Sequence, residues 1–137
     1  MVPAFTIAFA CILVMAALPI VCAGIAKSGK FGIRRSEGGY DNDDPRRWLE
    51  QQTAWRARAN SAQANTFESL PFFFAAVIVA HLMQAPQVWV DALAVAFVLL
   101  RIAYVAAYLK NKANLRSLVW VLAWGVNAAL LLIGIAR

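Results

Sequence analysis

Arg58-Ala-Asn-Ser61-Ala-Gln-Ala-Asn65-Thr-Phe-Glu68-Ser-Leu-Pro71-Phe72-Phe carries a row of polar residues straight into the apolar segment Phe74-Ala-Ala-Val-Ile-Val-Ala80. On one helix, about 100° per residue puts Arg58, Ser61, Asn65, Glu68 and Phe72 on one face. Glu68 then sits roughly two turns past the last basic residue, where an ionised carboxylate without a partner costs several kcal/mol. The rest of the chain is expected to supply that partner.

Composition sets the solvent. Of 137 residues, 62% are hydrophobic and 15% charged, and the mean hydropathy is +0.63, which is too apolar for a soluble domain. Four apolar runs, at about 3–26, 45–83 (its membrane part from about 60), 88–109 and 115–136, each have the roughly 20 residues a membrane helix needs. The expected fold class is all-α, an integral membrane four-helix bundle forming a single domain over 1–137. No basic residue precedes the first run, which is expected to be a retained helix softened by Pro19 and not a cleaved signal.

The net charge of +6 is distributed by topology. Lys27, Lys30, Arg34, Arg35, Arg46, Arg47, Arg56 and Arg58 lie between the first two runs, and Lys110, Lys112 and Arg116 between the last two. Met83-Gln-Ala-Pro-Gln87 carries no charge. The positive-inside rule puts the two basic loops in the cytoplasm and both termini on the other side, and no nucleic-acid partner is expected. Trp89 stands where interfacial tryptophans stand, and His81 is expected to face solvent or the interface. Cys11 and Cys22, in the first run with no neighbouring ligand, read as small buried hydrophobes, and no metal site is expected.

In the only sizeable polar segment, 27–55, Asp43 or Asp44 before Pro45 marks a helix start, because a carboxylate caps free amides and proline tolerates the first turn. Asp41, Asp43 and Asp44 read as a cap and a solvated turn opposite Arg46 and Arg47. The third run carries Arg101, Tyr104 and Tyr108 on one face. Arg101 and Glu68 lie at similar depth, about 12 Å from the cytoplasmic ends of their helices at ~1.5 Å per residue. A buried Glu68–Arg101 pair, within one subunit or between subunits, is the leading structural expectation. The fourth run is apolar but for Ser117 and Asn127, and its Trp120 and Trp124 are expected to pack in the bundle or face lipid.

Arg58 with Asn65-Thr-Phe-Glu68-Ser-Leu-Pro71-Phe72, followed by Arg101-Ile-Ala-Tyr104-Val-Ala-Ala-Tyr108, resembles the MAPEG family, the membrane-associated proteins of eicosanoid and glutathione metabolism. The resemblance spans all four helices, and Tyr40-Asp-Asn-Asp-Asp-Pro-Arg-Arg-Trp48 looks like the bacterial branch, which implies the bacterial inner (cytoplasmic) membrane. It implies a homotrimer with glutathione bound between subunits near the cytoplasmic surface, and a glutathione-dependent transferase or peroxidase taking lipophilic electrophiles or lipid hydroperoxides from the bilayer. Arg58, Asn65, Glu68, Arg101, Tyr104 and Tyr108 would hold glutathione. Arg116, with Tyr108, is the candidate for stabilising the thiolate. Where glutathione-using members place an arginine four positions before the asparagine, this chain has Ser61. The alternatives are a lipid- or small-molecule-binding or structural membrane protein of the same fold, and a small proton-coupled exporter with Glu68 as proton carrier.

Overall fold

The computed structural model describes residues 4–135. The outer ends of the first and last expected helices, residues 3 and 136, fall outside it. Among the described residues there is no strand, and the helices are α1 (Ile7–Lys27), α2 (Pro45–Glu50), α3 (Ala54–Leu82), α4 (Gln87–Leu109) and α5 (Ala113–Leu132). All but α2 are long and apolar enough to cross a membrane. At about 1.5 Å per residue the 29-residue α3 spans about 44 Å, longer than a hydrocarbon core of about 30 Å. Its basic first turns therefore stand clear of the lipid.

Local chemistry sets the helix ends. Thr6 caps α1, its Oγ1 accepting from Phe9 N, and Asp44 caps α2 by accepting from Arg47 N with Pro45 in the first turn. The expected run 45–83 is two helices, α2 and α3. They are broken at residues 51–53, where Gln52 Nε2 donates to the Trp48 carbonyl and Ala54 takes a left-handed φ of 53°. The turns after α3 and α4 share one device: Gln84 and Asn111 are left-handed, and the next amides, Ala85 N and Lys112 N, donate back to the Ala80 and Ala107 carbonyls. Such tight stops place α3 against α4 and α4 against α5.

α3 and α4 pack together, with α1 and α5 each resting on both. Phe73 stacks on Phe97 at 4.5 Å in the centre of the core, among Met15, Val77, Val90 and Leu130. Small residues, Ala8, Ala76, Ala80 and Ala94, let the backbones approach, as helix association in lipid requires. Cys11 and Cys22 are free thiols buried in this packing.

Two arginines in the first turns of α3 close the ends of other helices. Arg56 Nη1 donates to the Ala26 and Ser28 carbonyls at the end of α1, and Arg58 Nε donates to the Leu109 carbonyl at the end of α4. The loop between α1 and α2 folds back on Tyr40, which meets Phe31 and Trp48 edge-on beneath Lys27. Arg35 bridges Asp41 and Asp43 there, and those carboxylates hold its pKa above the ordinary value.

The opposite end carries a cluster the sequence did not advertise. Asp91 Oδ1 accepts from Ala8 N, an amide of the first turn of α1, and from Gln87 Nε2. His81 does not face solvent: it stacks on Phe9 and bonds Thr6 Oγ1 and the Val77 carbonyl. Because a carbonyl only accepts, Nδ1 carries a proton and the Thr6 hydroxyl donates to Nε2 in the neutral ring.

Candidate functional site

Three helix faces converge at one place. α3 contributes Asn65, Glu68, Ser69 and Phe72; α4 contributes Phe97 and Arg101; α5 contributes Trp120, Ala123, Trp124 and Asn127. Together they line a cavity of about 210 Å³. A second cavity of about 220 Å³, lined by Tyr104, Arg116, Ser117, Trp120 and Val121, meets the first at Trp120. Helical spacing explains the convergence: Arg116, Trp120, Trp124 and Asn127 follow one another at steps of four, four and three residues on one face of α5, with Ala123 three residues after Trp120 and four before Asn127.

Arg101 is the most consequential side chain, being 1% exposed inside a membrane helix. Its Nη2 donates to Asn65 Oδ1 at 2.9 Å and to Thr66 Oγ1 at 3.3 Å, and its guanidinium lies 4.2 Å over the Tyr104 ring. Thr66 is itself fixed by donating to the Ala62 carbonyl. From Arg101 a continuous stack leads to the end of the bundle where α4 turns into α5. Tyr104 meets Tyr108 edge-on at 5.7 Å, and the Arg116 guanidinium lies 4.5 Å over the Tyr108 ring. Each cation is paired with an aromatic face, a contact that strengthens as water is excluded.

The direct Glu68–Arg101 pair is not made within the subunit. Among the described residues the ion pairs are those of Arg35 with Asp41 and Asp43. Glu68 is exposed and reaches Arg101 only through Asn65, whose Nδ2 donates to Glu68 Oε2 at 3.4 Å. The reason is azimuth. Asn65 and Thr66 straddle the direction from α3 to α4, and Glu68 lies about 110° round the helix from their midpoint at ~100° per residue.

The sequence-derived residues therefore divide. Asn65, Glu68 and Arg101 line the inner cavity, while Tyr104 and Arg116 line the outer one, with Tyr108 stacked between their side chains. Arg58 is turned to the end of α4, and Ser61 is exposed. Thr66 was overlooked beside Asn65. Asn127, noted only as a polar interruption, is 2% exposed on the inner cavity, and Trp120 and Trp124, expected in packing or lipid, form part of its wall. The spacing of Trp120, Trp124 and Asn127 from Arg116 was the available sign.

No cluster of potential metal ligands occurs among the described residues. The constellation can hold an anion beside Arg116, an ammonium at Glu68 and an apolar body against Phe72, Phe97 and the tryptophans. Comparison with curated proteins and with solved structures gives no match. The family model of the MAPEG family matches residues 4–136, nearly the whole chain. A four-helix membrane bundle with this match is placed without ambiguity: the chain belongs to the MAPEG family.

Proposed function

We propose that the protein is a membrane-embedded glutathione-dependent transferase or peroxidase for lipophilic electrophiles or lipid hydroperoxides. The observation that carries the reading is the unbroken run from buried Arg101 through Tyr104 and Tyr108 to Arg116, flanked by Asn65 and the exposed Glu68. Glu68 is free of any ion pair among the described residues, so its carboxylate suits the ammonium of the peptide while Asn65 and Tyr104 contact its backbone. A thiol with a pKa near 8.5 in water becomes an efficient nucleophile at neutral pH beside a guanidinium. Arg116 is the cation nearest the cytoplasm on this run and takes that part. In conjugation the thiol proton leaves to water and the thiolate sulfur forms a bond to the electrophilic carbon. That carbon's bond to its leaving group breaks, the electron pair departing with the leaving anion, and Tyr108 orients Arg116 from below. Cys11 lies in the α1 packing and Cys22 is buried in the apolar cluster that also holds Tyr104, and neither has a part in the scheme.

Within the proposal the chain forms a homotrimer, because Ser61, Glu68 and Trp124 are exposed along the site and a neighbouring subunit would cover them. It lies in the bacterial inner membrane, the 28–53 loop and residues 110–112 in the cytoplasm and the termini on the other side. Arg116→Ala is expected to lower glutathione conjugation of a lipophilic electrophile by about tenfold or more, as the thiolate fraction falls. Detergent-purified assembly should be unchanged. Full turnover by that variant would remove Arg116 from the mechanism.

One observation favours a second reading. Ser61 stands where glutathione-using members have an arginine and cannot make the bidentate carboxylate contact, so the same pocket would serve a lipid or small molecule without chemistry. A Glu68 without a direct tie to Arg101 is also compatible with coupled export; proton-coupled efflux unchanged in Glu68→Gln would dismiss it.

A further inference from the structure

The cavity between α3, α4 and α5 holds two polar atoms that neither the thiol scheme nor the helix packing employs. Arg101 Nε, a donor, and Asn127 Oδ1, an acceptor, are buried without a hydrogen-bond partner among the described residues. Both side chains line the same cavity and are 1% and 2% exposed. A buried polar group left unmatched is costly, more so when it is charged, and native structures rarely keep one without a reason. Here two of opposite kind belong to residues that line one cavity from α4 and α5.

The group that answers both is one that accepts and donates at the same time. A ketone, ether or quinone oxygen would satisfy Arg101 and leave Asn127 stranded. A carboxylate would satisfy Arg101 and set its own lone pairs against the Asn127 oxygen. A hydroxyl does both. The remaining walls, Phe72, Phe97, Trp120 and Trp124, are flat and aromatic, with Phe72 and Trp124 6.0 Å apart. The volume of about 210 Å³ suits one substituted ring, since an apolar cavity of roughly 150 Å³ admits benzene. Trp120 and Trp124 are about half exposed on the surface that faces lipid or a neighbouring subunit, so a compound dissolved in the bilayer reaches the cavity beside them.

We propose that this cavity is a binding site for a ring-sized apolar phenol or alcohol, whose hydroxyl accepts from Arg101 Nε and donates to Asn127 Oδ1, with Asn127 as the residue that reads it. The site does not depend on a thiol being bound, and its test contains none.

The test compares 4-propylphenol, propylbenzene and 3-phenylpropionate as ligands of the full chain in lipid nanodiscs, with binding corrected for partition into protein-free discs. Wild-type protein is expected to bind 4-propylphenol at least about tenfold more tightly than propylbenzene, the worth of one good buried hydrogen bond to a charged group. In Asn127→Leu the preference should fall severalfold, the part owed to Arg101 Nε remaining, while propylbenzene binding persists. Equal binding of the phenol and the hydrocarbon by the wild type would mean that a water already satisfies the pair, and would overturn the proposal. So would tighter binding of the carboxylate, or a preference undiminished in Asn127→Leu. The wild-type comparison decides by itself if that variant fails to fold. Glutathione titration of the same discs, read separately, reports on the thiol scheme alone.

Discussion

Arg101 is a cation held in the membrane core by neutral groups: an amide oxygen, a hydroxyl and an aromatic face. Hydrogen bonds to a charged group are worth about 1.5–3 kcal/mol each when buried, so the stability of the site rests on Asn65 and Thr66 more than on Glu68. Asn65→Leu should lower the stability of the purified protein by about 2 kcal/mol, seen as a clear drop in melting temperature in detergent. Glu68→Gln should melt with the wild type, and an equal drop would restore a Glu68–Arg101 pair, made across subunits. At the outer end, Asp91→Ala removes the acceptor for an α1 amide and should cost about 1 kcal/mol, with Asp91→Asn intermediate. Melting of Asp91→Ala at the wild-type temperature would deny Asp91 that capping role. The depths of Glu68 and Arg101 were legible in the chain because rise per residue is nearly constant. Their pairing was not, because it depends on how α3 is rotated against α4, which hydropathy does not encode. Asp91 escaped notice because its partner is a backbone amide, and sequence carries no mark of which amide lacks a bond.

The elements were largely legible for a physical reason: in lipid every backbone group must be satisfied within the helix, so apolar length translates directly into a span. The Asp44-Pro45 start also follows from local chemistry. A break in the second run was open to the sequence but its place at residues 51–53 was not legible, since Trp48 and Leu49 continue an apolar pattern and fold back on Ala26 and Ala59 instead of running on into α3. The connecting loop owes its fold to close approaches that only the three-dimensional structure reveals. A Cβ at Gly39 would run into the carbonyl oxygen of Ile33. Gly39→Ala should therefore loosen the 28–53 loop, increasing its cleavage by trypsin at the half-buried Lys30 and the exposed Arg34 and Arg35 while the helical circular dichroism is kept. Unchanged cleavage would mean that Tyr40 and Trp48 secure the loop without help from the tight turn.

At the scale of the whole molecule, one α3–α4 pair flanked by α1 and α5 assembles a single polar run, from Arg116 in the first turn of α5 to Asn127 in the core. The two ends differ in chemistry: cationic and aromatic near water, aromatic and hydroxyl-matching in the interior. That gradient suits a water-soluble thiol meeting a partner from the bilayer. The family was legible from the Asn65 to Pro71 and Arg101 to Tyr108 elements, and the family model extends it over residues 4–136. The α5 side of the site was not, because its members are scattered tryptophans and one asparagine that only packing brings together. The central claim is that this run binds glutathione. Calorimetric titration of glutathione into the detergent-purified protein tests it most directly, with Glu68→Gln and Ser61→Arg alongside. Saturable binding by the wild type, lost in Glu68→Gln, is the predicted result. No heat from the wild type but binding by Ser61→Arg would contradict it, and would mean that the fold keeps its pocket for a different ligand.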